Sequence, residues 1–172
     1  MRIVILSNWF SEKMGYIENC LPKALAHLGY EVHVVTSTAQ IYFNDPMYKE
    51  SYEGFLGKNI VDEGVRQFEG YTLHRLPFTH FKNKIIIKGL RKKLKEIKPD
   101  VVQSFDAISF INLQVIFAKL FLKFGFYTAN HNTASVFQLY VKKRSIPYRI
   151  GFYFSRNFCS KRCNKRRINP ST

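Results

Sequence analysis

A chain of 172 residues can bury one sizeable core but is short for two ordinary domains. A hydrophobic fraction of 46% with 16% aromatic residues excludes a disordered chain, and three cysteines exclude a paired disulfide framework. The net charge of +15 is concentrated in two blocks, +7 over Lys82 to Lys98 and +10 over Lys142 to Thr172, with −2 left for the remainder, so the chain suits polyanions rather than cationic partners.

"RIVIL" at the start is a short, β-rich, continuously apolar run, the pattern of a strand covered on both faces, and "EVHVVTS" repeats it after a helix-like segment. Between them Ile17, Leu21, Leu25 and Leu28 fall on one helical face, and Gly29 ends it. Together these predict a β-α-β unit. Ala39 to Gly70 is rich in Tyr, Asn, Asp, Pro and Gly and reads as an excursion outside the sheet, with a short helix near Met47 to Tyr52. "YTLHRLP" predicts a strand stopped by Pro77. Lys82 to Lys98 follows as a basic amphipathic helix with Ile85, Ile86, Leu90, Leu94 and Ile97 inward.

"PDVVQSF" gives another strand, Ala107 to Phe124 a covered helix, "GFYTANH" a further strand, and Pro147 to about Lys161 a last helix. Polar residues interrupt the apolar run Ala107 to Tyr127 at less than a membrane-spanning length. Alternating strands and helices predict an α/β fold: a Rossmann-like, mostly parallel sheet with helices on both faces and the first strand central. Arg2 is followed by only four apolar residues, which is no secretory signal, and a reducing cytosol is the expected compartment.

Ligands of open parallel sheets sit beyond the carboxyl ends of the strands, where loops enter helix N-termini. The first such loop, "SNWFSEKMGYIEN", carries Gly15 just ahead of a helix whose free amides suit an anion such as a phosphate. The chain has neither GxGxxG nor GxxxxGK[ST], which excludes the common dinucleotide and P-loop fingerprints. Glu18 reads equally as a first-turn acid favoured by the helix dipole. Cys159 and Cys163 form a CxxxC without nearby His or acids, so no metal site is expected.

The segment "MRIVILSNWFSEKMGYIENCLPKALAHLGYEVHVVTS", with Gly15-Tyr16 followed by Glu18 and the ending "HLGYEVHVVTS", resembles the opening of the family 4 type, GT-B-fold glycosyltransferases. The likeness continues in order through "GYTLHRLP", "KPDVVQSFDA" and "TANHNT". It implies that the chain is the N-terminal, acceptor-side domain of a retaining glycosyltransferase. Such an enzyme moves a sugar from a nucleotide-sugar donor to a glycan or lipid-linked acceptor without a metal ion or other cofactor. Gly15 and Tyr16 then match the loop facing the donor phosphates, and His131 matches the catalytic-site His that hydrogen-bonds the donor sugar. Glu18, Gln103, Asp106 and Asn130 fall on the acceptor side, although relatives often carry His at 103 and 105 where this chain has Gln103 and Phe105.

The resemblance further implies a second, donor-binding domain, and nothing after Thr172 supplies it. The expectation is therefore a domain inactive alone, with a separate chain as a conceivable partner. The basic segment, including Lys88, Lys92, Lys93 and Lys95, is expected at an anionic membrane surface on the cytoplasmic side. Two readings of other classes stand beside this one. One is a nucleic-acid-binding module using basic blocks and Phe152, Tyr153, Phe154 and Phe158, which no RRM, KH or zinc-finger spacing supports. The other is a noncatalytic membrane-surface protein.

Overall fold

The computed structural model describes residues 1–81, 84–105 and 109–129. Strand β1 (Arg2–Ser7) leads through a loop to helix α1 (Ile17–His27) and strand β2 (Glu31–Ser37). Two single-turn helices, α2 (Tyr48–Ser51) and α3 (Glu53–Leu56), precede β3 (Gly64–Phe68) and β4 (Tyr71–Leu76). A small hairpin of β5 (Phe78–Phe81) and β6 (Lys84–Ile87) leads to α4 (Leu90–Ile97), β7 (Val101–Phe105), α5 (Phe110–Lys119) and β8 (Gly125–Ala129).

Six strands form one sheet in the order β3-β4-β2-β1-β7-β8, every neighbouring pair parallel except β3 with β4. The apolar first strand is central, as expected: Ile3 to Leu6 are buried on both faces. Alternation sends Ile3, Ile5, Val32, Val34 and Leu73 toward α1, where Leu21 and Leu25 meet them. Val4, Leu6, Val35 and Val102 face the opposite way, against α4, α5 and the β5–β6 hairpin. This is a mixed α/β architecture with helices on both faces of a mostly parallel sheet.

Several boundaries differ from the sequence expectation. Where a helix is expected over Lys82 to Lys98, the described residues from Lys84 form a strand, β6, followed by a helix of two turns that begins only after Gly89 at φ 73°. Along β6 it is therefore Ile85 and Ile87 that are buried, with Ile86 between them half-buried, the period of a strand rather than a helix. Gln114 on α5 fixes that strand by accepting from the Ile87 amide at 3.1 Å and donating to its carbonyl at 2.7 Å. In α4, Leu90, Leu94 and Ile97 are buried as expected, each contributing about 1.5–3 kcal/mol.

The excursion after β2 returns to the sheet as β3, an edge strand whose first four residues are exposed. On α1 the inward face is narrower than expected, since Ile17 and Leu28 are exposed while Asn19 and Pro22 are buried. Helix α5 is covered on one side only, where its Ile111, Val115 and Ala118 are buried, and its outer side is exposed apolar surface. The expected helix from Pro147 lies outside the described residues.

Candidate functional site at the carboxyl edge of the sheet

The loop from Asn8 to Tyr16 leaves the central strand at the sheet's carboxyl edge and is fastened residue by residue. Ser7 donates its hydroxyl to the Trp9 carbonyl at 2.6 Å, turning the chain, and Ser37 at the end of β2 donates to the Asn8 carbonyl at 2.5 Å. Phe10 is buried in the α1-side core. The Ser11 hydroxyl accepts from the Ile41 amide at 2.9 Å, and Asn19 on α1 donates back to the Ser11 carbonyl at 2.9 Å. Ser and Asn suit this work because their short side chains bond to local backbone.

Glu12 is the loop's electrostatic anchor. Its carboxylate accepts from the Arg75 guanidinium at 3.1 Å and pairs with Arg66 on β3 as well. Arg75, near the end of β4, is buried, stands 5.6 Å above the Phe10 ring and also donates to the Ser37 carbonyl at 3.3 Å. Burial, with Arg66 adding to it, pulls the Arg75 pKa down to about 10, so it is charged at neutral pH. Two arginines thus share one carboxylate beneath the loop, leaving one positive charge in excess.

Further out the same loop meets the excursion. Lys13 donates to the Phe55 carbonyl at 2.6 Å, and the Tyr16 and Tyr42 hydroxyls are 3.0 Å apart. That hydrogen bond pushes the Tyr16 phenol above its ordinary pKa. Tyr42 stacks on Tyr52 with ring centroids 4.8 Å apart. Its backbone is left-handed, φ 60°, a conformation that costs a bulky residue on the order of 1 kcal/mol or more and is held here by ring stacking and the hydroxyl pair.

Gly15 lies between the anchored part of the loop and these tyrosines. It is exposed, and apart from its chain neighbours a Cβ built on it would meet nothing within 4 Å, so a side chain there would have open space just ahead of α1. Tyr16 is the residue flanking the helix, and Glu18 is half-buried in the first turn. Gln103 is in the middle of β7, in register with Ile5 and Tyr127, half-buried rather than at the strand's end. The structure therefore brings Gly15, Tyr16 and Glu18 together and sets Gln103 apart, within the sheet. Asp106, Asn130 and His131 lie outside the described residues. Lys88 precedes α4, while Lys92, Lys93 and Lys95 are on it; Lys88, Lys92 and Lys95 are exposed, but Lys93 is engaged with Glu96 at 2.6 Å.

Sequence reasoning missed Glu12, Arg66, Arg75 and Tyr42. A charged residue inside the buried strand "YTLHRLP" was the available signal, because an arginine there demands a carboxylate from elsewhere in the chain. Among the described residues no group of three or more His, Cys, Asp or Glu is placed to hold a metal ion, and no helix is long and apolar enough to cross a membrane. No family model, curated protein or solved structure matches the chain.

Proposed function

We propose that the chain is the acceptor-side domain of a retaining glycosyltransferase of the family 4 type, in which the loop Asn8 to Tyr16 forms one wall of a cleft holding a nucleotide sugar and a glycan or lipid-linked acceptor. The observation that carries this reading is an exposed glycine, Gly15, with free space at its Cβ position, just ahead of the N-terminus of α1 on the carboxyl edge of a mostly parallel sheet. A bare amide there admits a diphosphate without a side chain between, and the helix end and the excess arginine charge favour its negative charge. Tyr16 and Tyr42 supply flat apolar faces with hydroxyl rims on the acceptor side, beside Glu18. His131 is proposed to hydrogen-bond the donor sugar on the strength of the sequence resemblance.

The test begins with Gly15→Val. Since no atom lies within 4 Å of a Cβ at this position, the substitution leaves the fold intact, and any loss reports on ligand entry. In the wild-type chain the Gly15 amide resonance shifts on titration with a nucleoside diphosphate, and the Val variant loses that response. Supplied with a complementary donor-binding domain, the wild type transfers sugar, and Gly15→Val lowers the rate by about 10²-fold or more. A variant with unchanged nucleotide response and unchanged transfer would move the site elsewhere.

A further inference from the structure

Helix α5 is apolar on both sides. Its inner stripe is buried, yet Leu113, Phe117, Leu120 and Phe121 are 60%, 55%, 73% and 63% exposed, spaced by three and four residues along the helix and its last turn. Phe117 and Phe121 stack edge to face at 5.5 Å, so the stripe is a continuous surface rather than scattered side chains. Large contiguous apolar patches are rare on soluble monomers and mark surfaces that something covers.

The flank of that stripe is cationic. The Arg91 guanidinium on α4 stands 5.1 Å from the Phe121 ring centroid, joining the basic and apolar faces into one. Across residues 84–105 and 109–129 there are nine Lys or Arg against two acids, Glu96 and Asp100. Both acids are engaged: Glu96 with Lys93, and Asp100 with the Arg2 amide at 2.6 Å. Lys88, Arg91, Lys92 and Lys95 are left exposed.

This charge decides among occupants. A second copy would bring the same cations face to face, and the segment Lys142 to Thr172 adds ten cations and no acid. Leucine and phenylalanine on a helix offer little to a phosphate backbone, whereas an apolar stripe beside a basic flank is the composition that sinks into the boundary between anionic headgroups and acyl chains. We propose that the outer face of α5 inserts into an anionic bilayer surface while α4 holds the headgroups. The chain lies on the bilayer rather than through it. The sequence alone pointed to adsorption by charge on α4; the structure adds a wedge, which makes the attachment partly resistant to salt. The inference does not depend on transfer chemistry.

The test uses the full chain, phosphatidylcholine vesicles with and without phosphatidylglycerol, and co-sedimentation across a salt series. Wild type sediments with the anionic vesicles and retains part of that binding at high salt. Leu113→Gln/Phe117→Gln/Phe121→Gln, with circular dichroism unchanged, lowers partitioning about tenfold or more and makes the remainder fully salt-sensitive. Lys88→Gln, Lys92→Gln and Lys95→Gln each lower it by roughly fivefold. In a Trp9→Phe/Phe121→Trp chain the emission shifts to shorter wavelength only with anionic vesicles. Equal binding by the triple-glutamine variant overturns the proposal, as does absence of vesicle binding by wild type. So does a wild-type dimer that the triple variant dissociates, or an oligonucleotide affinity that depends on the same three residues.

Discussion

The two ends of the sheet carry ionic networks of opposite design. At the carboxyl edge, Glu12 joins a buried arginine of β4 to an exposed one of β3, and the network's purpose is to hold a loop. At the amino edge, around a cavity of about 270 Å³, Arg2 pairs with Glu31 at 2.7 Å, Glu31 accepts from His33 at 3.1 Å, and His33 Nδ1 lies 3.0 Å from Nε2 of buried His74. That chain runs from solvent inward and ties strands to each other. The two imidazoles share one hydrogen bond through His33 Nδ1 and His74 Nε2, which leaves buried His74 Nδ1 without a hydrogen-bond partner. The first network places charge under a surface loop; the second keeps charge at the rim and an uncharged contact inside.

Breaking the carboxyl-edge network gives the largest effect. Glu12→Gln leaves Arg75 charged, buried and without its carboxylate, a loss of about 3–4 kcal/mol in chemical denaturation. Arg75→Met removes the buried charge itself, keeps the stem's packing against Phe10, and costs less than half as much, because Glu12 retains Arg66. If the two substitutions destabilise equally, Glu12 is not paired against a desolvated charge. In both variants the Gly15 amide broadens or shifts in the absence of ligand, since the loop has lost its anchor.

How far these features were legible in the sequence follows from the distance over which each is specified. The β1-α1-β2 unit, the Gly29 stop and the strand "PDVVQSF" are local patterns and stand where the periodicity put them. The β5–β6 hairpin was not legible, because "KNKIIIKGLRKKL" fits a helical stripe and a strand followed by a helix equally well until Gly89 takes a left-handed φ. Strand β3 escaped because an exposed edge strand has no apolar run to show. The exposed side of α5 escaped for the opposite reason: a helix with apolar residues on opposite sides reads as buried. Gly15 was visible in its loop, whereas Glu12 and Arg75 are 63 residues apart and only the fold joins them.

The amino-edge network is sharpened by pH. Burial, with help from His33 and Lys93, pulls His74 from the usual 6.5 to about 4, while Glu96 opposes the shift. Glu31 and Arg2 also line the same cavity. The unfolded chain therefore takes up this proton before the folded one does. Stability from this group is complete above about pH 6.5 and is lost as pH falls toward 4, by up to about 2–3 kcal/mol. His74→Phe flattens the unfolding free energy over that window, measured by denaturant titration at several pH values. An unchanged slope in the variant would assign the pH dependence to other groups.

The smallest effect belongs to the outer end of the same chain. Arg2 and Glu31 are exposed enough for water and ions to screen them, so their bond is weak even though it is short. Arg2 has other ties, donating from its guanidinium to the Ile97 carbonyl at 2.6 Å and from its amide to Asp100 at 2.6 Å, and these stay when the carboxylate is removed. Glu31→Gln therefore lowers the denaturation midpoint by less than either change above, and raising the salt concentration erases the difference from wild type. Glu12→Gln, acting on a guanidinium that solvent ions do not reach, keeps its deficit at the same high salt. Equal salt sensitivity of the two variants would mean that Arg75 is hydrated in solution, and the contrast between the two ends of the sheet would then be one of position only.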